Sequence, residues 1–237
     1  DGNGTLTLNN ANIQGGNDSQ SPQPKDYGIY AAPTGDQSVS LTINLIGSNT
    51  VKGYCGIYVG ASGGDSTLVI QSDTNGSLET SGSGWDGITI SSNSGNVSLT
   101  INNASVKAST ESNNYHGVSI IGRDASNPIL SLTVNGGSLT AKGAYGIFYF
   151  SLFGTNPSTS LMVNDGALIK AIPNISASIG ASGASKPTPQ GSGIVFDGTE
   201  GTVYGEVTLD ESLTIDQGET LTIPEGASLT SNDKLTN

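Results

Sequence analysis

The chain has 237 residues, a formal net charge of −12 and only eight Lys and Arg residues, with a pI near 4.1. Such a surface repels phosphate backbones and anionic lipid headgroups, which sets nucleic acid aside as a partner. There is no run of 18 apolar residues, so no membrane insertion is expected, and the single Cys55 permits no internal disulfide.

Hydrophobic residues make up 34% of the chain and arrive as Val/Ile/Leu triplets between turn residues, which reads as ordered all-β structure rather than disorder. In chain order the triplets are Leu6-Thr7-Leu8, Leu41-Thr42-Ile43, Leu68-Val69-Ile70, Leu99-Thr100-Ile101, Leu132-Thr133-Val134 and Leu161-Met162-Val163. Their alternation predicts strands with one buried face. A shorter apolar segment follows each triplet, centred on Ile13, Val51, Leu78, Val106, Leu139 and Leu168. A glycine unit then closes each repeat: Gly28-Ile29, Gly56-Ile57, Gly87-Ile88, Gly117-Val118, Gly146-Ile147 and Gly193-Ile194. The glycine-to-glycine steps are 28, 31, 30, 29 and 47.

Three short strands cannot bury an apolar face alone, so successive repeats must stack around a common core. The expected architecture is an all-β parallel β-helix, a solenoid of about six coils of roughly 30 residues with three strands per coil. Coils about 4.8 Å apart would give a core roughly 25–30 Å long. After the first strand of each repeat stand Asn9, Asn44, Gln71, Asn102, Asn135 and Asn164, a column expected at a turn and joined from coil to coil by amide hydrogen bonds.

Residues 1–200 are assigned to this solenoid and 201–237 to a shorter-period coil that continues or caps it. In that segment Leu213-Thr214-Ile215, Leu221-Thr222-Ile223 and Leu229-Thr230-Ser231 recur every eight residues. Leu235-Thr236 starts another such unit and the chain begins at Asp1, so a segment of a longer, processed protein is expected. Extra residues collect at one corner, Gly15 to Asp26 in the first coil and Pro173 to Ser192 in the sixth.

If each glycine unit is extended, residues two before and two after the glycine point outward. The first column reads Asp26, Tyr54, Trp85, Tyr115, Ala144 and Gly191, and the second Tyr30, Tyr58, Thr89, Ser119, Phe148 and Val195. Six of the thirteen aromatic residues fall in these two columns, so an exposed glycine track flanked by rings is expected, suited to stacking against sugars. The alternative is that aromatic residues simply pack on one another across coils. One position before the glycine, Asp86 and His116 become neighbours, close enough for a carboxylate–imidazole contact. Catalysis would need a second acid on a neighbouring coil, and no Asp-Asp pair occurs. No nucleophile with a partnered base is evident, and Cys55 reads as a small core residue.

The repeats resemble right-handed parallel β-helix proteins. Within that class, Asp86-Gly87-Ile88 and the Leu-Thr-Ile strands are similar to bacterial secreted β-helix domains described as carbohydrate-binding, over roughly residues 4 to 200. The resemblance implies a secreted or cell-surface module with a glycan ligand. The expected function is therefore noncatalytic polysaccharide binding through Tyr30, Tyr54, Tyr58, Trp85 and Tyr115, with Asp86 and His116 as polar anchors. The alternatives are a structural stalk or adhesin segment with protein partners, and a polysaccharide hydrolase or lyase. No cofactor is expected. Calcium is the one ion the dispersed carboxylates Asp26, Asp36, Asp65, Asp86, Asp124 and Asp165, with Gly63-Gly64-Asp65 and Gly15-Gly16-Asn17-Asp18, leave room for.

Overall fold

A computed structural model describes residues 3–16, 22–123, 127–152, 157–174, 177–209 and 211–236; Asn17, Asp18 and Asp124 lie outside them. The first coil consists of β1 (Asn3–Asn9), β2 (Asn12–Gln14) and β3 (Ile29–Ala31). The second has β4 (Val39–Ile46), β5 (Ser48–Gly53) and β6 (Ile57–Ala61), and the third β7 (Ser66–Gln71), β8 (Ser77–Gly82) and β9 (Ile88–Ser92). In the fourth and fifth, the first two strands merge into β10 (Val97–Thr110) and β12 (Ile129–Gly143), followed by β11 (Val118–Gly122) and β13 (Ile147–Ser151). The sixth has β14 (Ser158–Asn164), β15 (Leu168–Pro173) and β16 (Ile179–Ser182), and β17 (Pro189–Gly191) and β18 (Gly193–Asp197) start a seventh.

Each strand pairs in parallel with its equivalent one coil on, which makes the molecule a parallel β-solenoid of about six turns. Alternation places the core. In β4, Val39, Leu41, Ile43 and Leu45 are buried while Ser40, Thr42 and Asn44 face out. One coil further, Leu68 and Ile70 align with Leu41 and Ile43, so each buried column is continuous along the axis.

The corner between the first and second faces needs a left-handed residue. Asn10, Asn103 and Asp165 have φ of 48°, 50° and 56°, and Gly136 has 66°. Asn, Asp and Gly are the residues that tolerate this conformation, which explains the pairs Asn9-Asn10, Asn102-Asn103, Asn135-Gly136 and Asn164-Asp165. The amide column lies just before this bend, on the outer strand face rather than in the turn. Gln71 donates to Asn44, Asn135 to Asn102 and Asn164 to Asn135, each at 2.9 Å. Asn9 is not in register with it, because Thr7 is the residue aligned with Asn44.

Two further expectations shift by one element. Leu168 faces away from the main core and Ile169 takes the inward place beside Leu139. The unit Gly193-Ile194 belongs to the second face, since β18 pairs with β15. The sixth member of the glycine column is Ser178, followed by Ile179 aligned with Ile147, which returns the step from Gly146 to 32 residues. Gly191 and Val195 therefore leave the outward columns, and Val195 packs inside. Pro173 to Ser192 is not one corner insertion, because it contains β16 and β17.

After β18 the chain reverses. β19 (Glu200–Tyr204) pairs antiparallel with β18, and β22 (Thr220–Thr222) then adds parallel to β19. β20 (Glu206–Thr208) and β21 (Leu213–Thr214) stack under β23 (Ser228–Thr230) and β24 (Leu235–Thr236). These short coils enclose a second core on the opposite face of the shared sheet. Val195 serves the main core, whereas Ile194 and Phe196 join Val203, Val207, Leu209 and Leu213 in the other. Strand direction and inward side reverse together, so the winding keeps the same hand. Lys170 fastens the two units, 3.0 Å from Glu219 and 4.7 Å from the Phe196 ring centre.

Candidate functional site

The corner between the second and third faces carries the aromatic residues. Its geometry begins with the glycine column, which is not an open track. Gly56, Gly87, Gly117 and Gly146 are buried. A Cβ on Gly146 would sit 2.6 Å from both the Ala141 carbonyl oxygen and the Ile172 nitrogen. The absent side chain serves close approach of the chain to itself, not of a ligand. The preceding residues are held coil to coil through the backbone: Gly28 N–H donates to Cys55 O, Gly56 to Asp86 O, Gly87 to His116 O and Gly117 to Tyr145 O.

On the outer side of this corner six rings form one connected cluster over coils 1 to 4. Tyr30 stacks on Tyr58 with centroids 5.3 Å apart and planes 10° from parallel. Trp85 lies 6.1 Å from Tyr58, 6.2 Å from Tyr54 and 6.4 Å from Tyr115. The five ring residues expected from the sequence are thus brought together. Tyr27 completes the group, 5.1 Å from Tyr30 and 5.5 Å from Tyr58. It stands in the same position as Cys55 and Asp86, whose side chains turn inward, and alternation alone does not distinguish them. The rings are half-buried, with Tyr30 the most open at 41%. Burial, with Cys55 and the neighbouring phenols adding to it, pushes the Tyr27 hydroxyl up to about 12. Burial raises Tyr30 and Tyr54 as well, so these hydroxyls remain neutral hydrogen-bond donors.

Asp86 and His116 do not form the expected side-chain pair. Asp86 is 1% exposed, and its Oδ1 accepts the His116 backbone N–H at 2.7 Å. Its Oδ2 accepts the Thr89 hydroxyl, also at 2.7 Å. The His116 ring instead turns to Phe148, 4.3 Å away, and its Nδ1 accepts the Tyr145 N–H at 3.3 Å. Tyr145, Phe148 and Phe150 extend this second ring group. Parity does not separate them: both residues stand one before the glycine, at a bend, yet Asp86 points in and His116 out.

Burial pushes the Asp86 carboxyl up to about 6, opposed mainly by the His116 N–H. Burial lowers His116 to about 4. A carboxyl raised by folding supports the fold most below its unfolded value, and that support is lost as pH rises through about 6. His116 acts oppositely, its support present above its unfolded value and lost as pH falls towards about 4. The two contributions oppose each other across one pH window.

Cys55 is fully buried, and burial pushes its thiol up, which suits a packing role. Asp65 accepts the Asn96 N–H at 2.7 Å and so ties neighbouring coils. Among the described residues no three His, Cys, Asp or Glu side chains gather at a point that could hold a metal ion. No helix among them is long and apolar enough to cross a membrane.

Fold and corner together define the class, a parallel β-solenoid with an aromatic ridge along one edge. Comparison with known protein families, characterised proteins and solved structures finds no match to this chain.

Proposed function

We propose that this protein is a noncatalytic binding module, secreted or displayed at a cell surface, that takes an extended polysaccharide along the aromatic corner. The observation that carries this reading is the connected, half-exposed ring cluster of Tyr27, Tyr30, Tyr54, Tyr58, Trp85 and Tyr115. Three coil steps give it a length of about 14 Å, enough for several sugar units in a row. Rings with apolar bodies and hydroxyl tips suit sugars, which offer both C–H faces and hydroxyls. A net charge of −12 favours a neutral glycan over a polyuronate, unless calcium bridges the like charges.

A structural stalk or adhesin segment is the second reading. It is favoured by the near-parallel Tyr30–Tyr58 stack, in which the rings cover each other's faces. A hydrolase or lyase has little support, because the Asp86 carboxylate is buried against backbone and the His116 imidazole points elsewhere.

The test is a glycan array with labelled protein, with and without calcium, followed by Trp85 emission on every hit. Expected are saccharide-specific binding, a change in Trp85 emission, and at least tenfold weaker binding by Trp85→Ala, about 1.4 kcal/mol for a lost stacking partner. A blank array under both conditions would leave the stalk as the better reading.

A further inference from the structure

We infer that Asp86 is the positioning residue of the aromatic corner: its carboxylate ties coil 3 to coil 4 and thereby sets where Trp85 stands relative to Tyr115. Each of the two residues it joins directly follows a ring of the ridge. Trp85 precedes Asp86, and Tyr115 precedes His116, whose N–H is bound at 2.7 Å. The second oxygen is held by Thr89 in the next strand, also at 2.7 Å, so the carboxylate cannot swing. The joined rings have centroids 6.4 Å apart. The coil-4 segment Glu111–Tyr115 lies between β10 and β11 with its side chains largely exposed, and the buried Asp86 gives it a rigid point of attachment.

Cys55 from coil 2 and His116 from coil 4 are the titratable groups on the neighbouring coils that bear on this carboxylate. Thr89, Ser119 and Trp85 complete its surroundings. Ser119 Oγ favours the ionised form without making a hydrogen bond of normal geometry. A charged acceptor makes a stronger bond to an N–H than a neutral one does, so loading a proton on Asp86 weakens the tie without removing it.

The proposal rests on the corner being the binding surface, but its test needs no ligand. The chain has one tryptophan, so emission excited at the red edge of the indole band, beyond tyrosine absorption, reports Trp85 alone. Wild type is expected to show a single emission transition near pH 6. Thr89→Val moves its midpoint up, because a bond to the ionised form is lost. Asp86→Asn abolishes the transition, while its amide oxygen still accepts the His116 N–H and keeps that amide protected in hydrogen exchange. Asp86→Ala loses the protection and shifts the emission to the red. His116→Gln leaves the transition in place, since only the backbone of residue 116 is used.

A transition that persists in Asp86→Asn, or vanishes in His116→Gln, overturns the proposal. So does a His116 amide that stays protected in Asp86→Ala. Should Asp86→Ala fail to fold, the Asn and Thr89→Val variants decide the matter alone. An Asp86-dependent transition beside a blank glycan array would remove the binding reading and leave the clamp standing.

Discussion

The long coils and the short coils share one sheet yet bury their apolar residues to different depths. In the long coils Ile43, Leu68, Ile101 and Val134 are completely enclosed. In the short coils Ile215, Leu221 and Leu229 are only partly covered, and Ile223 and Leu235 are 49% and 41% exposed. One reason is position, because β22 to β24 form an end coil, and in the long end coil Leu6, Ile13 and Ile29 are likewise only partly covered. The other is the length of a side. A strand such as β4 sends four residues inward, whereas β23, three residues long, has only Leu229 partly covered between two exposed threonine and serine positions. The inner short coil still buries Val203, Val207, Leu209 and Leu213. To these the short unit adds Ile194 and Phe196, borrowed from the outer face of β18.

The substitution with the largest expected effect breaks the borrowed core. Phe196→Ala should cost about 3–5 kcal/mol in the short unit, through the lost ring and the cavity it leaves. Urea unfolding followed by hydrogen exchange should then become two-step, with residues beyond β18 released first and coils 1 to 6 intact. A single cooperative loss of both units would show that the short coils support the long ones.

Gly146→Ala attacks the other partner in the comparison. A new Cβ would press on backbone atoms of Ala141 and Ile172, which cannot turn aside as a side chain would. About 3 kcal/mol should be lost, and by calorimetry the main transition should fall. A variant as stable as wild type would mean that the corner has slack.

The smallest effect sharpens the contrast without breaking either core. Asn135 sits in the middle of the amide column, bonded to Asn102 on one side and Asn164 on the other. Asn135→Ala should lower main-solenoid stability by about 1–2 kcal/mol, for two part-exposed bonds, and leave the short unit unchanged. A loss several times larger would mean that the column holds register rather than merely adding bonds.

Much of this architecture is legible in the chain. The Leu-Thr-Ile triplets, the thirty-residue step and the eight-residue C-terminal period all correspond to strands in the coils where they fall. Repetition is a local property, and a repeat that cannot bury its apolar face alone has only stacking open to it. Tyr30 and Tyr58 were also legible, because alternation after the glycine sends them outward: Ile57 and Val59 are buried while Tyr58 faces out. Tyr54, Trp85 and Tyr115 come two before the glycine, a position where Asp26 and Ala144 are buried instead. Before the glycine, alternation fails. The chain bends there, and Tyr27, Cys55, Asp86 and His116 occupy one column with two side chains in and two out.

By itself, then, the sequence determined the all-β class, the parallel stacking, the coil period and the edge along which the aromatic residues gather. Periodicity and residue type carry these, and neither needs a neighbour to be read. Only the tertiary structure decided that Gly193 starts a second-face strand, that Ile194 and Phe196 found a separate core, and that Asp86 is buried beneath the ridge. Each depends on which backbone lies one coil away or across the shared sheet. That distance is set by the folded path of the whole chain and by no local pattern of residues.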